Sequence, residues 1–373
     1  MTWNASAVKQ TSRSEILWIW LGSRFLVLFA AAAGSWQIVT SGGLTAYTEI
    51  WRQWDTRWFE SIAVFGYIGP YVSDFEDFRY NVAFFPGLPL IMDAGETSGL
   101  SPTLTGLIVS LFAGGFAATA LARLGEMFGA SGRWTLIAWA LAPTALFVTA
   151  AYTEALFAAF AFWAWVVAKQ GRWLLAGMLA GCAAFVRPNG LFLAVGLIVM
   201  FLVSRQRSWA RGSALLIPFA VTGVYFAYLH SITGNWNAWS AAQSDFWGRE
   251  LVDPVTALVN TYNLIFTFSP TGEPSSRMVT EIIAMVIVVA VLAITIVKKW
   301  WAEAAYVGVT ALSLGTSTMY YSIPRTLVLM FPLWILIGLW LTKSAWLRWV
   351  YIPVGMGALI VVTILFTQGQ WIS

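Results

Sequence analysis

The chain has 373 residues, of which 59% are hydrophobic and 10% are charged. Its mean hydropathy is +0.73, whereas about 25% of the residues in a soluble globular domain are charged. These values exclude a soluble globular protein. The net charge of +4 does not indicate a nucleic-acid partner, because the basic residues are spread along the chain rather than clustered in one stripe. Membrane lipids are the surroundings that we expect.

Apolar runs of helical length recur along the whole chain. Lipid offers no partner to backbone N–H and C=O groups, so a spanning segment is expected to be a helix. The alternation typical of barrel strands is missing. We therefore predict an all-α, polytopic membrane protein that forms a single domain, 1–373, with about eleven transmembrane helices. They lie at residues 15–37, 101–121, 134–151, 153–169, 172–186, 190–204, 212–230, 278–297, 302–320, 325–342 and 346–367.

The charges between these spans predict the topology. With a cytoplasmic N-terminus, most of the 21 basic residues lie at cytoplasmic helix ends, as the positive-inside rule requires. The acidic residues then face the other side, apart from Glu15, Glu126 and Glu303. The first span lacks a small-residue cleavage site and is interpreted as an uncleaved anchor. The single Cys182 can form no internal disulfide.

Two outer segments, 38–100 and 231–277, are much longer than the other connections. Residues 49–96 hold eight of the seventeen carboxylates of the chain. Long connections in compact proteins are usually functional or disordered, and these two are too aromatic and apolar for disorder. We predict that they form short helices on the outer membrane surface.

Five short stretches on this predicted outer face combine charged residues with aromatic residues or proline. They are 54–63 (WDTRWFESIA, followed by Gly66-Tyr67), 83–89 (AFFPGLP), 152–157 (YTEALF), 187–190 (RPNG) and 322–325 (SIPR).

Asp55 is the candidate base in the first stretch. It is flanked by bulky aromatic residues near the lipid surface, where partial desolvation strengthens a carboxylate as a base. A helix N-cap, or an ion pair with Arg52 or Arg57, is the structural alternative. Trp54 belongs either to the aromatic belt of a membrane protein or to a face that stacks on a sugar.

Glu154, Arg187 and Arg325 are candidate binding residues. An ionisable group at the edge of a long apolar helix is costly and usually functional, although the helix dipole alone also favours an acid at the position of Glu154. Arg187 and Arg325 each lie beside a proline at an outer helix end. Two guanidiniums at that depth favour a bidentate phosphate site, and the structural alternative is a pair of snorkelling interface anchors.

We predict neither a bound metal nor a cofactor. His230 is the only histidine of the chain, which excludes a His-based metal site. The cluster of Asp74, Glu76 and Asp77 is compatible with a divalent cation, but such a run is more often a solvated turn.

The five stretches, in this order and spacing, resemble PIG-V-like proteins, the GPI mannosyltransferase II family within the GT-C superfamily. The resemblance runs from about Gly22 to Phe331. One departure is that the family commonly has a histidine before the aromatic-Pro element. In this chain Asn81 and Val82 precede that element, so any role of the histidine is absent or reassigned.

The resemblance implies a GT-C-type transferase that moves a sugar, typically mannose. The donor would be a polyprenyl- or dolichyl-phosphate sugar, and the acceptor a hydroxyl of a lipid-linked or membrane-associated molecule. Transfer would invert the anomeric carbon. Asp55 would be the base that deprotonates the acceptor, on the non-cytoplasmic face, and a monophosphate donor of this kind needs no metal.

The resemblance also suggests roles for the other residues. Arg187 and Arg325 would bind the phosphate, with Arg24 as a third candidate. Tyr152, Glu154 and Asn189 would orient sugar hydroxyls.

Two other functional classes stay open. A transporter favours ionisable residues at the bilayer midplane and repeat symmetry, neither of which is visible. A non-catalytic assembly subunit would tolerate replacement of Asp55. The compact chain favours a bacterial cytoplasmic membrane over the endoplasmic reticulum.

Overall fold

The computed structural model describes residues 10–68, 78–204, 208–267 and 276–372. Within these ranges the chain is helical and contains no strand, apart from one isolated antiparallel bridge between Leu251 and Ser317. The α-helices are α1 (Arg13–Gly34), α2 (Trp36–Glu49), α3 (Asp55–Phe65), α4 (Gly87–Thr97), α5 (Pro102–Met127), α6 (Gly132–Ala140), α7 (Thr153–Lys169), α8 (Trp173–Val186), α9 (Asn189–Val203), α10 (Trp209–Gly212), α11 (Ile217–Thr233), α12 (Ala238–Trp247), α13 (Pro254–Phe266), α14 (Ser276–Val297), α15 (Trp301–Gly315), α16 (Ile323–Leu327), α17 (Phe331–Lys343) and α18 (Ala345–Thr367). Short 3-10 helices occupy Phe78–Ala83, Pro143–Val148 and Ser213–Leu216.

Five helical segments are long and apolar enough to cross a membrane: Arg13–Gly34, Pro102–Met127, Trp209–Thr233, Arg277–Val297 and Ala345–Thr367. The predicted class, an all-α polytopic membrane protein, is therefore confirmed. The count of eleven spans and the orientation of the chain stay predictions.

Two predicted spans are interrupted, so the prediction of one continuous helix is wrong for each. In span 134–151, α6 ends at Ala140, Ala142 is extended (ψ 145°), and Pro143 opens a 3-10 helix. Proline supplies no N–H to continue the helical ladder. Span 325–342 is divided between α16 and α17 by residues 328–330. At both interruptions, some backbone groups lack the hydrogen-bond partners that a continuous helix would supply.

Helix α7 forms the centre of the bundle. It is apolar on every face and buried along almost its whole length, as expected of a helix surrounded by other helices. Its main neighbours are α5 and α8. The buried positions of these helices include small residues such as Ala117 and Ala118 on α5 and Ala158 on α7, which let the backbones approach closely. The N-terminus of α7 is thereby fixed in the middle of one end of the bundle.

The two long predicted loops do form short helices, as expected. Segment 38–100 contains α3 and α4, and segment 231–277 contains α12 and α13. They pack against each other through aromatic rings: the Trp247 ring lies 5.7 Å from the Trp58 ring and meets the Phe84 ring edge-on at 5.5 Å, both measured between centroids. This aromatic packing joins the two segments over the end of the bundle that carries the start of α7.

Candidate active site

A sharp turn presents Asp55 at the first position of α3. Trp54 precedes it with φ 49° and ψ −114°, a conformation that L-residues with large side chains rarely adopt. The backbone N–H groups of Thr56 and Arg57 close the turn by donating to the carbonyls of Gln53 and Trp54, both at 3.1 Å. Strain of this kind is maintained only where the surroundings enforce it, and it concentrates at functional sites.

A chain of four charged side chains extends from Asp55 into the bundle. Arg325 donates through Nη1 to Asp55 Oδ2 and through Nε to Glu154 Oε1. Arg187 donates through Nη1 to the same Glu154 oxygen at 2.5 Å. Glu154 is fully buried, while the Asp55 side chain is 19% exposed. Two carboxylates thus balance two guanidiniums, the arrangement that makes buried charges tolerable.

Neighbouring groups hold this charge chain in place. The Arg325 guanidinium carbon lies 4.4 Å from the centroid of the Tyr152 ring. Burial raises the pKa of Tyr152 well above its usual value of 10, so its hydroxyl stays protonated and donates to the Gln53 carbonyl at 3.3 Å. Arg187 donates through Nη1 to Thr153 Oγ1 at 2.7 Å and through Nε to Asn189 Oδ1 at 3.4 Å. Both arginines are therefore held by several partners.

The glycines of two predicted motifs explain how Arg187 reaches Glu154. A Cβ on Gly190 would lie 2.3 Å from Ala184 Cα, and a Cβ on Gly87 would lie 2.9 Å from Val186 Cα. Only glycine therefore permits this close approach of α9 and α4 to the end of α8. Arg187 follows at once, in an extended conformation before Pro188.

Glu281 on α14 positions Arg325, a role that the sequence did not suggest. Its buried carboxylate accepts the backbone N–H groups of Ser322 and Ile323, each at 2.8 Å. Ser322 has a left-handed backbone, with φ 59°. The carboxylate thus satisfies the first free N–H groups of the short helix α16, which carries Arg325. An isolated glutamate within an apolar run gave no signal of this contact.

Asp55 borders a cavity of about 570 Å³, a volume typical of small-molecule sites. Asp55, Arg57 and Arg277 are its charged lining residues, and Asp55 is the acid among them. Six aromatic side chains form the other walls: Trp54, Trp58, Phe246, Trp247, Tyr321 and Trp371. The cavity therefore combines one carboxylate with flat apolar surfaces.

The walls come from segments that are far apart in the sequence. The Trp371 ring meets the Trp54 ring edge-on, with centroids 4.5 Å apart, and its centroid lies 5.4 Å from that of the Tyr321 ring. Trp247 belongs to the second long segment and Arg277 to the start of α14. Sequence reasoning did not select Arg277, Tyr321 or Trp371, because none of them belongs to a recognisable motif.

The structure divides the predicted site residues into groups. Trp54 and Asp55 line the cavity. Glu154, Arg187 and Arg325 form the charge chain behind Asp55, and Tyr152 and Asn189 contact its arginines. These seven residues are thus brought together at one end of the bundle.

Arg24 belongs to a different part of the protein. It is buried and donates to the carbonyls of Ala140 at 2.9 Å and Ala145 at 2.8 Å, and to Thr149 Oγ1. The two carbonyls lie on either side of the interruption after α6. Arg24 therefore stabilises that interruption, and its contacts give no support to the predicted role in phosphate binding.

Asn81 lies in the motif that departs from the family. It is fully buried, and its amide nitrogen donates to Ser61 Oγ and to the Gly66 carbonyl, both at 3.2 Å. The residue therefore fastens the second motif to α3. Over the described ranges, no group of three or more His, Cys, Asp or Glu side chains is placed to hold a metal ion. Asp74, Glu76 and Asp77, the predicted cation candidates, lie outside the described residues.

These features define a polytopic helical membrane protein with a buried arginine–carboxylate chain next to an aromatic cavity. No protein-family model matches the chain. Over 180 residues it is 33% identical to GPI alpha-1,6-mannosyltransferase 2 of Mus musculus, an alignment that covers 45% of this chain and 34% of that protein.

Two further relatives support the same resemblance. GPI alpha-1,6-mannosyltransferase 2 of Rattus norvegicus is 34% identical over 180 residues, which is 44% of this chain and 34% of that protein. GPI mannosyltransferase 2 of Yarrowia lipolytica is 28% identical over 95 residues, which is 25% of this chain and 27% of that protein. The chain spans about a third of the length of the curated relatives it matches. The predicted resemblance to the GPI mannosyltransferase II family is thus confirmed over part of the chain.

Proposed function

We propose that this protein is an integral-membrane, inverting glycosyltransferase. It moves a sugar, mannose by its resemblance to the mannosyltransferases, from a polyprenyl- or dolichyl-phosphate donor to a hydroxyl of a lipid-linked acceptor. The observation that carries this proposal is Asp55, the acid in an aromatic cavity of about 570 Å³, held from behind by Arg325. The identity to named mannosyltransferases supports the choice of sugar.

Asp55 is the proposed general base. In an inverting transfer the acceptor oxygen attacks the anomeric carbon, the bond between that carbon and the phosphate oxygen breaks, and the acceptor proton moves to a carboxylate. A positioned base of this kind contributes about 10²–10⁴ to the rate. Arg325 restrains the orientation of the carboxylate through Oδ2, which favours a productive geometry before the acceptor binds.

The aromatic walls are the proposed sugar and acceptor surfaces. Trp54 and Trp58 lie next to Asp55 in the cavity lining, and such side chains offer flat apolar faces with few polar groups. Tyr152, Glu154, Arg187 and Asn189 are proposed to act on the sugar mainly by holding Arg325 and Asp55 in place. This assignment follows from their contacts with each other.

The cavity is proposed to face the non-cytoplasmic side of the membrane. This orientation follows from the distribution of basic residues. A bacterial cytoplasmic membrane is the proposed location, on the compactness of the chain. The named relatives come from eukaryotes. The proposed orientation is tested by introducing single cysteines into segments 38–100 and 204–208 of a Cys182→Ser protein and labelling them with a membrane-impermeant reagent.

Product analysis tests the proposed reaction. The purified protein is incubated with polyprenyl-phosphate mannose and a panel of lipid acceptors, including inositol glycolipids, and the products are identified by mass spectrometry. We expect a mannosylated lipid and free polyprenyl phosphate in equal amounts, and neither with Asp55→Ala. Movement of the donor across a vesicle membrane without a new glycolipid would indicate a transporter. Full activity of Asp55→Ala would exclude Asp55 as the base.

A further inference from the structure

A second pair of arginines lies at the cavity, around Tyr321. The guanidinium carbons of Arg249 and Arg277 lie 5.1 Å and 5.6 Å from the centroid of the Tyr321 ring. Arg277 also lies 5.0 Å from the Trp371 ring centroid. Arg277, Tyr321 and Trp371 all line the cavity that contains Asp55. Arg277 is thus within the same site as the proposed base, and Arg249 contacts a lining residue of that site, Tyr321.

The second pair differs from Arg187 and Arg325 in its partners. Over the described residues, neither Arg249 nor Arg277 forms an ion pair with a carboxylate. Arg249 donates through Nη1 to the neutral Gln243 Oε1 at 3.2 Å. Burial raises the pKa of Tyr321, so the ring between the two guanidiniums is uncharged at neutral pH. No described carboxylate pairs directly with either guanidinium, and Asp55 acts on Arg249 only over a distance.

Hydrogen-bond donors without partners lie in the same walls. Arg277 Nε and the indole N–H groups of Trp54 and Trp371 are buried, and none of them has a partner in the described part of the chain. Buried donors of this kind are rare in native structures and require an explanation. All three lack an acceptor. A ligand rich in acceptor oxygens and negative charge would supply what these groups lack.

We propose that Arg249 and Arg277 bind the phosphate of the lipid donor, and that the Trp371 indole N–H adds a third donor. This assignment rests on the proposed glycosyl transfer and moves phosphate recognition away from Arg187 and Arg325. Guanidinium groups suit phosphate because their planar N–H donors match its oxygens. Arg249 is half-buried and burial lowers the pKa of its guanidinium, so a bound anion would stabilise its charged form.

The chemistry of the reaction strengthens this assignment. When the bond between the anomeric carbon and the phosphate oxygen breaks, that oxygen keeps the electron pair, and the phosphodiester monoanion becomes a monoester dianion. The acceptor proton moves to Asp55. In this assignment, two guanidiniums without a directly paired carboxylate lie where negative charge increases, which is the arrangement that stabilises a transition state. Arg187 and Arg325 already interact with carboxylates and offer less to a new anion.

The surroundings of Arg277 also suit a lipid. Arg277 lies in the first turn of α14, and the exposed apolar side chains Val279, Ile283 and Val286 follow along that helix. An isoprenoid chain would lie beside this apolar surface in the bilayer while its phosphate reaches Arg277. The site therefore fits a phosphate attached to a long apolar chain.

A binding experiment on the full-length protein tests the assignment. The affinity for radiolabelled polyprenyl monophosphate is measured in nanodiscs for the unmodified protein, Arg277→Gln, Arg249→Gln and the double variant. We expect each single change to weaken binding about tenfold and the double change to weaken it further. Uncharged polyprenol of the same length should bind all four proteins equally.

Control variants make each outcome decisive. Arg277→Lys keeps the charge and should retain part of the affinity, which separates loss of a ligand contact from misfolding. Arg52→Gln removes an arginine that pairs with Glu60 at 2.5 Å and does not line the cavity, and this variant should bind polyprenyl phosphate normally.

Wild-type affinity in the double variant, or equal losses for polyprenol, would overturn the assignment. So would equal competition by phosphatidylglycerol, which would indicate a general site for anionic lipids.

The same assay separates this inference from the proposed function. Asp55→Asn should bind polyprenyl phosphate like the unmodified protein while failing to transfer sugar. If the arginine variants lose lipid-phosphate binding but the unmodified protein transfers no sugar, the phosphate site stands and glycosyl transfer is wrong. If transfer depends on Asp55 while the arginine variants bind lipid phosphate normally, glycosyl transfer stands and the phosphate site is wrong.

Discussion

Two pairs of arginines lie near the proposed base, and they differ in what neutralises them. Arg187 and Arg325 contact Glu154 and Asp55, whereas Arg249 and Arg277 lie among aromatic rings and a neutral amide. The same side chain therefore plays two roles at one site. A guanidinium in an ion pair orients a carboxylate, and one without an ion pair is available to an anion. Sequence position alone did not distinguish these roles, since all four residues lie near the end of a helix.

The largest expected effect on stability comes from removing the shared counter-ion. Glu154→Ala leaves two buried guanidiniums without their carboxylate, and loss of one partner of a buried ion pair costs about 3–5 kcal/mol. Arg249→Gln strands no carboxylate in the described part of the chain, and its cost should stay within about 1 kcal/mol. The free energy of unfolding, from denaturant titration in detergent, measures both. Equal losses would show that the two arginine pairs do not differ as described.

A smaller effect is expected at Glu281, which holds the start of the short helix that carries Arg325. Glu281→Ala leaves the N–H groups of Ser322 and Ile323 without their acceptor, at about 1–3 kcal/mol for each buried donor. Arg325 then loses its fixed position, so kcat for sugar transfer should fall more than the affinity for polyprenyl phosphate. Glu281→Gln keeps one acceptor oxygen and should restore part of kcat. An unchanged kcat in Glu281→Ala would remove its positioning role.

The smallest effect is expected at Trp371, whose ring contacts Arg277 of the second pair. A cation–π contact is worth about 0.5–2 kcal/mol, so Trp371→Ala should weaken polyprenyl-phosphate binding about twofold to thirtyfold. Trp36→Ala is the matched control, because the Trp36 side chain is 65% exposed and lies outside the cavity lining. Equal affinities in the two variants would argue against a phosphate next to Arg277.

Much of the fold and half of the site follow from local sequence signals. Apolar runs of helical length predicted the membrane helices, because lipid forces each backbone group to be satisfied within its own segment. Charged residues in such a chain occur where they have partners or a function. That restriction selected Asp55, Glu154, Arg187 and Arg325, and the structure brings these four together.

The remaining part of the site depends on contacts between distant segments. Asp55 and Arg325 are separated by 270 positions, and no periodicity specifies which guanidinium meets which carboxylate. Trp371 and Tyr321 have the composition of an aromatic belt, and only the packing of the chain turns them into cavity walls. The interruption after α6 was missed because its proline lies within an otherwise apolar run, and Arg24 donates to carbonyls on either side of it.

The transfer rates of two carboxylate variants on one helix test the central claim most directly. Asp55 lines the cavity. Glu60 lies about one and a half helical turns further along α3, and it pairs with Arg52 outside the cavity. We predict that Asp55→Asn lowers the rate of mannose transfer from polyprenyl-phosphate mannose by about 10²–10⁴ with unchanged affinity for polyprenyl phosphate. Glu60→Gln should stay within about threefold, since a partly exposed ion pair contributes little. Equal rates in the two variants would contradict Asp55 as the base.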